Sequence, residues 1–137
     1  MNTAARRSTL GLLILLGLPH CSDALSQTRA AEPQVVTRIG IIGCHQQPHP
    51  APALTRYVAM KPQVVLWVGD NVYADTKDDP SHIERCYSVL EEKPGFRELR
   101  DNSVFLAVWD DHDYGMNNDG KNYPLKHQSK EIFRKFW

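Results

Sequence analysis

Three apolar runs punctuate the chain, and each ends in polar residues of a kind that binds cations. The first, Val35-Val36-Thr37-Arg38-Ile39-Gly40-Ile41-Ile42-Gly43-Cys44, reads as a strand closing on a glycine and a cysteine. The second, Val64-Val65-Leu66-Trp67-Val68, is apolar throughout and reads as a buried strand ended by Gly69-Asp70-Asn71. The third, Val104-Phe105-Leu106-Ala107-Val108-Trp109, has the β-branched and aromatic content of a buried strand. It stops abruptly in Asp110-Asp111-His112-Asp113, after which Tyr114-Gly115 turns away. Helical spacing occupies the intervals. Residues 53–60 carry Leu54, Tyr57 and Val58 on one face before Pro62. Residues 80–92 place Pro80 at the start and Ile83, Cys86, Tyr87 and Leu90 at helical spacing. A shorter helix is predicted over 94–100. Beyond the turn-rich loop 116–120, a last helix starts at about Pro124, with Ile132, Phe133, Phe136 and Trp137 on its apolar side.

Strand, helix, strand, helices, strand is the order of an α/β fold, a parallel sheet with crossover helices. The C-terminal ends of parallel strands lie on one edge, where ligands bind in open sheets. That edge would gather Cys44, then Asp70 with Asn71 and Tyr73, then Asp111 with His112. Three carboxylates around one imidazole repel each other and are costly to bury, and a cation relieves both costs. Carboxylate and imidazole are ligands for divalent and trivalent ions. Each residue also has a plainer reading. The Asp110 to Asp113 run fits a solvated acidic turn, and Asp70 fits a helix N-cap. Cys44 is open to three readings: a small buried apolar residue, a disulfide with Cys86, or a thiolate ligand. Tyr73 fits a core aromatic. His45 and His49 read as solvated loop residues, and Asp75, Asp78 and Asp79 as a solvated acidic turn.

Length and charge narrow the picture further. A chain of 137 residues holds one domain at most. Sixteen Lys and Arg balance sixteen Asp and Glu, so no net field points to nucleic acid or to an anionic membrane. Three cysteines are too few for a disulfide framework. Arg6-Arg7 precede an apolar run over 10–18 that is too short to span a membrane but fits an export signal. Ser22-Asp23-Ala24 offers small residues for cleavage. The division is therefore an export signal peptide over 1–24, a linker over 25–34 and a domain over 35–137. The mature chain would have no transmembrane helix and would be periplasmic or extracellular. Arg6-Arg7-Ser8-Thr9-Leu10 matches the twin-arginine signal loosely, lacking the usual Phe. Leu18-Pro19-His20-Cys21 is a poorer match to a lipoprotein site.

Together these residues carry a resemblance. Gly43-Cys44, Trp67-Val68-Gly69-Asp70-Asn71-Val72-Tyr73-Ala74-Asp75, Val108-Trp109-Asp110-Asp111-His112-Asp113-Tyr114-Gly115 and Asn118-Asp119-Gly120 stand in order along the chain. In that order they resemble the alkaline phosphatase D family, the PhoD-like metallophosphatases of the calcineurin-like metallophosphoesterase superfamily. The resemblance covers about residues 38–137. It implies a layered metallophosphoesterase fold and a binuclear metal site of ferric iron with calcium or another divalent cation. Cys44, Asp70 and Tyr73 would bind the ferric ion, Asp70 would bridge to the second cation, and Asp111 would contact it. His112 would act as the catalytic histidine and Asp113 would orient it. The implied reaction is cleavage of a phosphoester substrate, monoester or diester, by a metal-activated hydroxide.

The family continues for at least as many residues again, and the chain ends on an apolar helical face at Trp137. The expectation is thus the N-terminal part of a longer enzyme, the 137 residues alone having little turnover. The competing expectation is a non-catalytic α/β module that binds metal or a partner. The reading frame beyond the Trp137 codon separates the two.

Overall fold

The computed structural model describes residues 35–137; the export segment and linker expected over 1–34 lie outside the described residues. The strand β2 (Val64–Val68), apolar at every position, takes the middle of a three-stranded sheet. The strands β1 (Ile39–Ile42) and β3 (Val104–Val108) flank it, and both pair with it in parallel. Ile42 stands beside Trp67, and Trp67 beside Ala107, so all three strands end at one level. The α/β reading and the parallel order therefore hold.

The strand β1 is shorter than its apolar run because pairing has a lower limit. Its ladder begins at Ile39 opposite Val64, and upstream of that pair the partner segment offers the Gln63 main-chain N–H, which donates to the Arg38 carbonyl at 3.0 Å. The Gln63 side chain takes over there. Its carbonyl oxygen accepts the N–H groups of Thr37 and Arg38, and its amide donates to the Val35 carbonyl.

Helix α1 (Pro52–Met60) links β1 to β2, whereas α2 (Pro80–Glu91) and α3 (Phe96–Asn102) link β2 to β3. Asp79 caps α2 by accepting the His82 N–H, so this residue is a helix cap and not a solvated turn. Helix α3 starts two residues later than its sequence pattern implies. Gly95 at φ +87° is left-handed, and its missing Cβ leaves room for the α1 backbone. The acidic run after β3 forms a one-turn helix, α4 (Asp111–Tyr114), in place of the turn that its composition suggests. Helix α5 (Lys126–Phe136) closes the described chain.

Alternation along the strands divides the sheet into two faces. Ile42, Val65, Trp67, Phe105 and Ala107 point toward the helices. Trp67, Tyr87 and Phe96 form an aromatic centre with Phe105, and α5 lays Phe133, Phe136 and Trp137 onto it. The opposite face shows Ile39, Ile41, Val68, Val104, Leu106 and Val108 at 50–59% exposure. Parallel sheets are ordinarily covered on both faces, so this one is uncovered among the described residues. None of the helices described is long and apolar enough to cross a membrane.

Candidate metal centre

The sheet delivers three short loops to one edge. After β1, the N–H groups of Cys44 and His45 donate to the carbonyls of Gly69 and Asp70, at 3.2 and 2.7 Å. These bonds carry the β1–β2 pairing past the strand ends. Between the second and third loops the link is closer still, because Gly69 at φ +101° lies directly against Asp110. A Cβ at Gly69 would stand 2.8 Å from the Asp110 Cβ, so only glycine fits.

Backbone strain is concentrated at this edge. Cys44, Asp70 and Asp75 adopt φ of 49°, 50° and 42°, the left-handed region that costs a non-glycine residue on the order of 1 kcal/mol. These turns aim the side chains at a common point. Cys44 Sγ lies 3.6 Å from Asp70 Oδ2, and the Tyr73 hydroxyl lies 3.3 Å from the same oxygen. Donor atoms of Asp70, Asp111 and His112 all fall within 4.8 Å of one another. Cys44 and Cys86 are both free thiols, which removes the disulfide reading. Cys86 is buried beside His82 and the Tyr73 carbonyl.

The electrostatics follow from this crowding. Removal from water, then the charges of Asp70 and Cys44, push the Tyr73 phenol up to about 12. The Asn118 N–H, bonded to the Asp111 carboxylate, holds that carboxyl below its ordinary value, with His112 assisting. Partial burial pulls His112 down, but the hydrogen bond and charge of Asp75, with Asp111 and Asp70, outweigh it and leave the imidazole above its ordinary value.

Asp113 does not orient His112, which corrects the expectation from the sequence. Consecutive residues on a helical turn point about 100° apart, so His112 faces the site while Asp113 faces the core. Asp113 is 2% exposed. Its Oδ1 accepts the N–H groups of Asn71 and Val72 and the Tyr87 hydroxyl, at 2.8, 3.0 and 3.2 Å. Its Oδ2 accepts the Asp110 N–H and the Asn71 amide, at 3.1 and 3.2 Å. Burial pushes this carboxyl up against the pull of these donors.

Asp75 takes the role that the resemblance implies for Asp113. Its carboxylate oxygens lie 2.7 and 2.9 Å from His112 Nδ1, and one of them also accepts the Asn117 N–H at 3.0 Å. The Tyr73 ring lies against the imidazole, its centroid 4.1 Å away and its plane tilted by 31°. His45 is likewise not a solvated loop residue. It is half-buried, edge-on to Trp67, and burial pulls its imidazole down. Asp75→Asn should bring the His112 pKa below that of the parent, since burial remains and the main opposing charge is gone. NMR titration of the His112 ring protons reads this directly. An unchanged midpoint would place the controlling charge elsewhere.

One further atom bears on what the edge can hold. Asp70 Oδ1 is buried without a hydrogen-bond donor among the described residues. A carboxylate oxygen in that state is costly unless a cation reaches it. The Cys44 thiol and Tyr73 phenol at the other Asp70 oxygen, with the Asp111 carboxylate close by, form a donor set suited to a transition metal beside a harder cation, and the His112 imidazole stands at its border. No family model, curated protein or solved structure matches this chain.

Proposed function

We propose that this chain belongs to a metal-dependent phosphoester hydrolase of the metallophosphoesterase type that works outside the cytoplasm. The observation carrying this reading is the approach of Asp70, Asp111 and His112 donor atoms to within 4.8 Å of one another, beside a buried Asp70 oxygen with no hydrogen-bond donor among the described residues. Cys44, Asp70 and Tyr73 would hold a ferric ion, and Asp70 would be shared with calcium or another divalent cation that Asp111 faces. Such a pair supplies Lewis acidity at the phosphoryl oxygens and a nucleophile at neutral pH.

The remaining chemistry belongs to the chain. Asp75 engages His112 Nδ1 and fixes the ring, so Nε2 is the nitrogen left to pass a proton to the departing alkoxide. The Asp75 carboxylate favours the protonated imidazole. Tyr73 walls the ring on one face and limits its rotation.

The test is calorimetric titration with ferric citrate, Ca2+ and Mn2+ of the protein encoded by the complete reading frame, followed by its assay on p-nitrophenyl and bis-p-nitrophenyl phosphate. Saturable cation binding with hydrolysis supports the proposal. Binding without hydrolysis favours a metal-binding α/β module. Absence of binding overturns both.

A further inference from the structure

We propose that Gln47 is a positioning residue for Tyr73, acting as a side-chain substitute for a neighbouring strand. Its carboxamide oxygen accepts the Tyr73 N–H at 2.7 Å, and its amide nitrogen donates to the Tyr73 carbonyl at 3.1 Å. The orientation of the amide is settled by its partners, since a backbone N–H only donates and a carbonyl only accepts. Gln47 is 5% exposed although it lies in the irregular loop after β1. Nothing in that loop's own backbone reaches Tyr73. Main-chain bonds between the two loops end at His45 and Asp70, and the Gln47 side chain extends the ladder past them.

The consequence lies in what Tyr73 touches. Its hydroxyl reaches Asp70 Oδ2, and its ring lies against the His112 imidazole. Asp113 holds the Val72 N–H on one side and the His112 carbonyl accepts the Ala74 N–H on the other, while the N–H of Tyr73 itself has Gln47 as its partner. Gln47 bonds both polar groups of the Tyr73 peptide backbone, with Cys86 Sγ 3.9 Å from the same carbonyl, and so sets where the phenol stands between these two anchored neighbours. This role for Gln47 deepens the hydrolase reading, on which it rests only for its effect on chemistry; the geometry itself needs no cation.

The experiment is NMR on the metal-free protein, comparing the parent with Gln47→Met and Gln47→Glu. Methionine keeps the length and loses both hydrogen bonds, whereas glutamate keeps an acceptor for the Tyr73 N–H. In the parent, the His112 ring protons should be shifted by the Tyr73 ring current and show an NOE to it. Gln47→Met should lose both signals and speed exchange of the Tyr73 amide on the order of tenfold or more, the size one buried hydrogen bond implies. Gln47→Glu should retain protection of that amide and give intermediate ring shifts. A folded Gln47→Met protein with unchanged His112 shifts overturns the proposal.

Should that variant fail to fold by circular dichroism, the parent decides. Slowly exchanging Gln47 carboxamide protons with an NOE to the Tyr73 backbone support the role, and a freely exchanging carboxamide overturns it. Titration of parent and variant with ferric citrate then reads the phenolate-to-iron absorption band. A parent with no band counts against the hydrolase reading and leaves the positioning role to be decided by the NMR signals alone.

Discussion

Asp113→Ala is expected to lower the melting temperature by about 20 °C, equivalent to a loss on the order of 4 kcal/mol in a domain of this size. The reason is the number of donors that this one carboxylate satisfies. Deleting it leaves the N–H groups of Asn71, Val72 and Asp110 and the Tyr87 hydroxyl without an acceptor. Asn71 is fully buried, as is Val72, so water cannot replace the lost partner without opening the core. The damage would spread to both neighbouring loops. Asn71 also donates to the Val108 carbonyl, and Asp110 caps α4, so one carboxylate joins the ends of β2 and β3. Asp113→Asn keeps the volume but turns an NH2 group toward a donor, and an intermediate loss is expected. Thermal melts followed by circular dichroism read both. A variant melting within a few degrees of the parent would show that Asp113 is not the fastening described. A residue acting only by orienting His112 would leave the melt nearly unchanged.

What is legible in the sequence and what is hidden divide along the same line as local and distant interactions. The three strands are legible because a continuous apolar run is a local pattern, and their parallel order follows from the intervening helices. The gathering of Cys44, Asp70, Asp111 and His112 at one edge is then a matter of topology. Helix α4 also carries a local signal, weaker than the acidic composition that points to a turn. Asp110 and Asp113 stand three apart, the spacing of a capping box, and each side chain accepts a hydrogen bond within that turn.

The partners of Asp75 and Gln47 lie beyond such patterns. Asp75 meets His112 across 37 positions, and Gln47 meets Tyr73 across 26. Composition around Asp75 reads as a solvated turn, and only its left-handed backbone points the carboxylate inward. Asp113 misleads for the opposite reason. It adjoins His112 in sequence but not in space, because the helical turn sends the two side chains apart.

The largest functional effect should come from Asp70→Ala, with His112→Ala as its informative contrast. Asp70 is the side chain to which the others converge, with Cys44 and Tyr73 at one oxygen and no donor among the described residues at the other. Its loss should weaken cation binding by at least about 100-fold, the scale seen when a ligand or its close support is removed. Hydrolysis should then fall to background. His112 has a different expected behaviour, because its Nδ1 is taken by Asp75 and its contribution is a proton rather than a bond to the cation. His112→Ala should bind Ca2+ and Mn2+ within a few-fold of the parent. Turnover should nevertheless drop by ~10²–10⁴-fold on an alkyl phosphoester, whose leaving oxygen needs protonation. On p-nitrophenyl phosphate the loss should be much smaller, since nitrophenolate departs without help. The measurements, made in the protein encoded by the complete reading frame, are calorimetric binding for both variants and rates on both substrates. Equal losses on the two substrates, or loss of the cation from His112→Ala, would remove the leaving-group role. Full cation binding by Asp70→Ala would remove Asp70 from the centre of the site.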